Sequence, residues 1–148
     1  MSMMHLSDLH ELAVEVLVAS KTSHENAAAV ARALVKADAD GIPSHGVSRL
    51  PAYADQAKAG KVDGFATPDV SMPKTASVRV DARSGFAYPA IEAGTEAVFG
   101  AIKTTGIVGV AIGNSHHAGV AGHHVETFAE QGYLALGFSN SPAGIAPW

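Results

Sequence analysis

The chain has 148 residues, of which 47% are hydrophobic, so it is long enough to fold around an apolar core. A net charge of -4 and the lack of a lysine/arginine block argue against a nucleic-acid partner or an anionic membrane surface. The absence of cysteine excludes disulfides, thiolate catalysis and cysteine-ligated zinc, and it favours a reducing compartment. No signal peptide and no apolar stretch of roughly 18 residues is visible, so the sequence predicts a soluble, cytoplasmic protein.

Three helices are predicted in the first part of the chain. Ser7 and Ser23 are typical helix-capping residues, and each precedes apolar residues at helical spacing. A third helix begins near Ser48, and it accommodates a proline only within its first turn. Glycines are expected to end the second and third helices, at Gly41 and Gly60.

The second part of the chain alternates between strands and helices. This order predicts an α+β or α/β layer arrangement. Residues 61–75, which contain two prolines, form the predicted linker between a helical domain, residues 1–66, and a mixed domain, residues 67–148. The predicted elements of the mixed domain are strands at 76–82, 107–112 and 133–138 and helices at 89–103 and 119–131.

The segment Ser44-His45-Gly46 lies at the turn between the second and third helices, and Arg49 follows about one helical turn later. A histidine in such a turn can transfer a proton near neutral pH. The arginine fork can hold a carboxylate by two hydrogen bonds. The combination suits a substrate with a carboxylate beside a hydroxyl or carbonyl group, although a helix cap with a surface histidine and a solvated arginine explains the same spacing.

A second segment, residues 113–119, lies between a predicted strand and a predicted helix and contains the adjacent pair His116 and His117. Ligand sites of α/β proteins occupy such strand ends, and helix N-termini attract anions. Gly119 would let a cofactor approach the backbone closely. The alternative is an ordinary turn of glycine, asparagine and serine in which the histidines are incidental.

A third segment, residues 138–142, follows the last predicted strand. Its polar side chains and backbone amides could hold the amide or the ribose of a nicotinamide cofactor. As turn chemistry, the sequence Asn-Ser-Pro within it is unremarkable.

Other kinds of site find less support. Four of the eight histidines lie within residues 116–124, which leaves a histidine-rich metal-binding protein as an alternative. However, no HExxH motif is present, and His123 and His124 would point in different directions on a helix. A nucleophile elbow needs glycine where His117 stands, and no GxGxxG motif supports a Rossmann site.

In order and separation, these segments resemble the malate/L-lactate dehydrogenase family of the non-Rossmann kind, which includes ureidoglycolate and sulfolactate dehydrogenases and Δ1-piperideine-2-carboxylate reductase. The resemblance implies a helical N-terminal domain followed by part of a mixed-sheet α/β domain that binds NAD or NADP. It also implies hydride transfer to or from a small 2-hydroxy/2-oxo acid, in a homodimer. The matching segments are residues 39–46 (ADGIPSHG), 49–53 (RLPAY), 114–117 (NSHH) and 139–148 (SNSPAGIAPW).

The resemblance also implies roles for individual residues. Ser44 and His45 match a Ser-His pair with a proton-relay role, and Arg49 matches the residue that holds the substrate carboxylate. His117 matches the histidine that accepts a proton in some members. The positions that match cofactor contacts are His117, Ala118, Gly119, Asn140, Ser141 and Pro142.

Two departures from the family pattern leave the substrate open. Ala118 stands where a bulky aromatic is common, and His123 and His124 replace an aromatic pair. Family members are more than twice as long, and this chain stops within an apolar run at Trp148, so we interpret it as a truncated N-terminal portion. A catalytically inactive fragment of such an enzyme is therefore the alternative to an active dehydrogenase, and the family's relay carboxylate is expected beyond residue 148.

Overall fold

The fold is taken from a computed structural model, which describes residues 4–140. Within this range no helix is long and apolar enough to cross a bilayer. The helices are α1 (Leu6–Val18), α2 (His24–Ala39), α3 (Leu50–Lys58), α4 (Ala87–Thr105) and α5 (Ala121–Ala129). The strands are β1 (Asp69–Lys74), β2 (Ser77–Asp81) and β3 (Gly109–Gly113), and two 3-10 turns, Pro43–His45 and Val47–Arg49, join α2 to α3.

The two predicted serine caps have different outcomes. Ser23 caps α2 as predicted, because its hydroxyl accepts a hydrogen bond of 3.2 Å from the Asn26 amide. The prediction for Ser7 is wrong, since α1 begins at Leu6, two residues earlier than a Ser7 cap requires, and has His5 at its cap position without a side-chain hydrogen bond. The Ser7 hydroxyl instead donates to the neighbouring Asp8 carboxylate within the first turn.

Two buried clusters hold the fold together, and α4 belongs to both. The first lies between α1, α2 and α3, and it includes Phe86 and Tyr88 at the start of α4. The second lies between β2 and the remainder of α4. Full burial of one large aliphatic side chain contributes about 1.5–3 kcal/mol, so each cluster stabilises its layer substantially. Central members are Leu17, Val30 and Leu34 in the first cluster and Val78, Val80, Ala90 and Val98 in the second.

The sheet is mixed, which confirms the predicted α+β class. Its strand order is β1-β2-β3, with β1 antiparallel and β3 parallel to the central strand β2. The carboxyl ends of β2 and β3 therefore lie side by side, at Asp81 and Gly113. The segments after them are also joined, because the His116 amide donates to the Gly85 carbonyl over 3.0 Å.

Two sequence predictions need correction here. Residues 61–75, predicted as a linker, contain β1, whose side chains are all exposed and so give no alternating apolar pattern. Residues 133–138, predicted as a strand, form none, and Leu134, Leu136 and Phe138 are 90%, 77% and 94% exposed. A strand needs a hydrogen-bonded neighbour, and no strand among residues 4–140 pairs with this segment. The domain boundary at residues 66 and 67 stays a prediction.

Candidate active site

The Ser-His-Gly segment is held against the last turn of α2. The Asp38 carboxylate of that helix accepts a hydrogen bond of 2.8 Å from the Val47 amide. Gly46 packs directly on the same carboxylate, and any Cβ at this position would overlap it. The two 3-10 turns are thus fixed to α2, and they fix the position of His45 in turn.

Ser44, His45 and Arg49, all predicted as site residues, form one connected group. The Ser44 hydroxyl lies 3.1 Å from Nδ1 of His45. The Arg49 Nε donates to the Ser44 carbonyl over 2.7 Å, which uses one of the five guanidinium donors. His45 and Arg49 are half-buried and Ser44 is exposed, so the group lies at the surface with two of its side chains partly covered.

His117 comes from the loop between β3 and α5 and meets His45 there. The two rings are stacked, with centroids 5.7 Å apart and an angle of 27° between their planes. The Nδ1 atom of His117 lies 3.0 Å from the Tyr53 hydroxyl and 3.1 Å from the Gly119 amide. Two segments that are distant in the sequence therefore bring two histidines and the Arg49 side chain to one place.

The neighbouring His116 is turned away from this pair and into the protein. Its Nε2 donates to the Gln56 side-chain oxygen over 2.6 Å, and its Nδ1 is buried with no partner among the described residues. The ring meets the aromatic rings of Tyr53 and Phe86 edge-on, at centroid distances of 4.9 and 5.7 Å. Burial, with a smaller contribution from the charges of His117 and Lys61, lowers the pKa of His116 to about 4.

The ionisable groups around His117 favour its neutral form. Partial burial lowers its pKa, and the Arg49 guanidinium and the ring of His45 lower it further. Burial also raises the pKa of Tyr53 and, more strongly, that of Tyr88, so both phenols stay protonated. The three side chains therefore form a neutral group beside a permanent positive charge.

A cavity of about 570 Å³ opens between α2, α4 and α5. His45 and Tyr88 line it, whereas Arg49 and His117 do not. Its walls also carry the half-buried rings of Phe99 and His124. His45 therefore has space on one side that could admit part of a small molecule.

Charged side chains fasten α5 to the end of α2. Lys36 forms ion pairs with Asp40 at 3.1 Å and with Glu126 of α5 at 2.9 Å. His123 lies 2.9 Å from the same Asp40, while His124 contacts the Ala118 carbonyl at 2.6 Å. These two histidines point in different directions, as predicted, and no group of three or more potential metal ligands occurs among residues 4–140.

The other predicted site residues make fewer contacts with His45, His117 and Arg49. Ala118 and Gly119 belong to the same loop as His117, but the contacts between the histidines do not involve Asn140, which is exposed. Ser141 and Pro142 lie outside the described residues. Sequence reasoning missed Tyr53 and Tyr88 as polar partners, and it included Tyr53 only in the segment that resembles the family. A tyrosine on an alanine-rich core face was the available signal, because a buried hydroxyl needs a partner.

Comparisons with known proteins agree with the resemblance seen in the sequence. The model of the malate/L-lactate dehydrogenase family matches residues 4–148. A (2R)-3-sulfolactate dehydrogenase (NADP(+)) from Chromohalobacter salexigens is 46% identical over 99% of this chain and 44% of its own length. A Δ1-pyrroline-2-carboxylate/Δ1-piperideine-2-carboxylate reductase from Pseudomonas putida is 44% identical over 84% of this chain and 38% of its own length.

The solved structure of Δ1-piperideine-2-carboxylate reductase from Pseudomonas syringae pvar. tomato matches 89% of this chain with a TM-score of 0.85 and 37% identity. The match covers 40% of that protein, so the chain spans less than half the length of these relatives. The fold and the sequence both lead to the same conclusion: the chain belongs to the malate/L-lactate dehydrogenase family.

Proposed function

We propose that this chain provides the proton-transfer and carboxylate-binding part of an oxidoreductase that moves a hydride between NAD or NADP and a small 2-hydroxy/2-oxo acid. The observation that carries the proposal is the meeting of His45, His117 and Arg49, with the two rings 5.7 Å apart. A fold alone does not establish an activity, so the argument depends on this group of side chains.

In this proposal Arg49 holds the carboxylate of the substrate. Its Nε bond to the Ser44 carbonyl sets the direction of the guanidinium, which then presents its other donors to two carboxylate oxygens. The names of the relatives support this choice, since a sulfolactate and a pyrroline-2-carboxylate both carry a carboxylate beside the carbon that is oxidised or reduced.

In this proposal His45 or His117 accepts the proton of the substrate hydroxyl. When a 2-hydroxy acid is oxidised, the C–H bond breaks with its electron pair and the hydroxyl proton leaves, so a carbonyl forms at the same carbon. In this proposal the Ser44–His45 pair takes that proton. The contact between the Ser44 hydroxyl and His45, and the stacking of His117 on His45, support it. Positioned acid–base groups of this kind contribute roughly 10²- to 10⁴-fold in rate.

We expect the loop of Ala118 and Gly119 to contact one edge of a nicotinamide cofactor, as the family resemblance implies. The same resemblance assigns cofactor contacts to Asn140, Ser141 and Pro142, of which the last two lie outside the described residues. In the structure this loop leads from the carboxyl end of β3 to the amino end of α5, where backbone amides favour anionic groups. Gly122, in the first turn of that helix, has open space at its Cβ position and leaves the backbone accessible. When bound, the cofactor accepts or supplies the hydride.

A direct test uses the 148-residue chain and a chimera in which it replaces the matching segment of the Chromohalobacter relative. NADH and NADPH are supplied with pyruvate, oxaloacetate or 3-sulfopyruvate, and nicotinamide absorbance is followed. In the active form, Arg49→Ala, His45→Asn and His117→Asn should each lower kcat/KM by roughly 10²-fold or more. The control is Arg79→Ala, an exposed arginine on β2. Near-normal turnover of all three site variants contradicts the assignment.

A second candidate is that the 148 residues alone are inactive. Two observations favour it: the relatives use more than twice this length, and Leu134, Leu136 and Phe138 expose their side chains almost fully. NADPH titration followed by fluorescence distinguishes the two candidates. Stoichiometric binding with turnover by the chain alone rejects the inactive fragment, whereas activity confined to the chimera supports it. The histidine-rich metal site has no such support among residues 4–140.

We further propose that the active protein is a homodimer in the cytoplasm. The family resemblance supports the dimer, and the cysteine-free composition is compatible with a reducing compartment. The acidic net charge supports neither a nucleic-acid nor a membrane partner. Light scattering on the chimera tests the assembly, and a monomer that retains full activity contradicts it.

A further inference from the structure

The hydrogen bonds at Nδ1 of His117 have a defined direction. The Gly119 backbone amide lies 3.1 Å away, and a backbone N–H can only donate. Nδ1 must therefore be the acceptor and carries no proton in this arrangement. A neutral imidazole has one protonated nitrogen, so the proton is on Nε2.

The same argument assigns the donor and acceptor roles of the hydroxyl groups of Tyr53 and Tyr88. The Tyr53 hydroxyl lies 3.0 Å from the same Nδ1 and must donate to it, since Nδ1 has only a lone pair to offer. The oxygen of Tyr53 is then available to accept, and the Tyr88 hydroxyl lies 3.3 Å from it. A directed chain results, in which Tyr88 donates to Tyr53 and Tyr53 donates to His117.

Packing holds Tyr88, the first donor in this series of hydrogen bonds, in place. Tyr88 is 5% exposed and belongs to the buried cluster of the helical part. Gly119 lies against its hydroxyl, with a φ of +70° that favours glycine, and a Cβ at this position would be 2.5 Å from the Tyr88 oxygen. The close fit leaves little room for the Tyr88 hydroxyl to move away from Tyr53.

We propose that the Gly119 backbone amide holds His117 as the Nε2–H tautomer, and that the hydroxyls of Tyr53 and Tyr88 follow the direction it sets. His117 then presents a proton donor to the substrate rather than a lone pair. Resting on the proposed function, the consequence is that neutral His117 donates a hydrogen bond to the substrate oxygen. The hydroxyl proton lost during oxidation then goes to the Ser44–His45 pair. The tautomer itself does not depend on that function.

The test is ¹⁵N NMR of the chain with labelled histidines, above neutral pH and without substrate or cofactor. His117→Gln identifies the signals of this ring. We expect an acceptor-type shift for Nδ1 and a protonated-type shift for Nε2 in the wild type. Tyr53→Phe, which removes the other donor to Nδ1, should leave Nε2–H as the major tautomer, because the Gly119 amide still donates to Nδ1. The control is Tyr133→Phe. It removes a hydroxyl that does not belong to the Tyr88–Tyr53–His117 hydrogen bonds, and it should leave the ratio of the two tautomers unchanged.

An Nδ1–H tautomer in the wild type overturns the proposal. A mainly Nδ1–H ring in folded Tyr53→Phe overturns the role of the Gly119 amide. If circular dichroism shows that this variant does not fold, Tyr88→Phe takes its place, because it removes the next hydroxyl of the same hydrogen-bond chain. A mainly Nδ1–H ring there is equally decisive. Since the experiment requires no turnover, its failure concerns the tautomer, whereas failure of hydride transfer is seen only in the absorbance assay.

Discussion

Acid should destabilise this protein through His116. The fold holds this ring neutral, with Nε2 donating to Gln56 and Nδ1 buried without a partner among the described residues. Protonation places a second N–H and a positive charge at that unpartnered nitrogen. The associated stability is therefore fully present above the ordinary pKa of 6.5, and it is lost as the pH falls toward the folded-state pKa of about 4.

The size of the effect follows from the difference between the two pKa values. Each unit corresponds to about 1.36 kcal/mol, so the limit below pH 4 is about 3.4 kcal/mol. At about pH 5 the linkage relation gives about 2 kcal/mol, and screening by water on the exposed side of His116 reduces this to about 1 kcal/mol.

The assay is urea unfolding followed by circular dichroism at about pH 7.5 and about pH 5. The free energy of unfolding of the wild type should fall by about 1 kcal/mol more than that of His116→Gln, whose side chain does not titrate. His24→Gln, which removes an exposed histidine, is the matched control and should behave as the wild type. If the wild type and His116→Gln lose the same free energy to within about 0.3 kcal/mol, the reasoning is refuted.

Three further variants test how the fold positions the site. Ser23→Ala should lower the free energy of unfolding by about 1 kcal/mol in urea titrations, and Ser23→Asp should restore it, because the α2 cap requires an acceptor. Asn26→Ala should cost about 1–3 kcal/mol, since this buried amide donates to two carbonyls before β1; a loss below about 0.5 kcal/mol contradicts it. Gly119→Ala should lower the melting temperature through its positive φ and the clash with Tyr88, whereas Gly122→Ala should not.

Local sequence signals predicted those parts of the fold that depend on local physics. Ser23 predicts the start of α2 because the capping hydrogen bond joins residues only three apart in the sequence. Gly41 and Gly60, both with φ near +73°, follow the ends of their helices as predicted. Residues 76–82 alternate because one face of β2 packs on α4. The exposed β1 has no such face, and an apolar pattern therefore did not reveal it.

The site was predictable in its components but not in its connections. His45, Arg49 and His117 stand in recognisable segments, whereas Tyr53 reaches His117 only because α3 packs beside the loop after β3. No periodicity encodes a contact between residues so far apart in the chain. The same holds for Tyr88, whose neighbours in sequence are those of an ordinary helix start.

The contact between Asp38 and Gly46 has a consequence for anyone who transplants or randomises this motif. Since the carboxylate fills the volume of a Cβ at position 46 and also binds the Val47 amide, the two positions act as one unit. A library that varies position 46 alone should return almost only glycine. Shrinking Asp38 makes room at position 46 but leaves the Val47 amide without its acceptor. A Ser-His-Gly sequence placed on another helical hairpin needs an acidic side chain at the end of the first helix to reproduce the geometry.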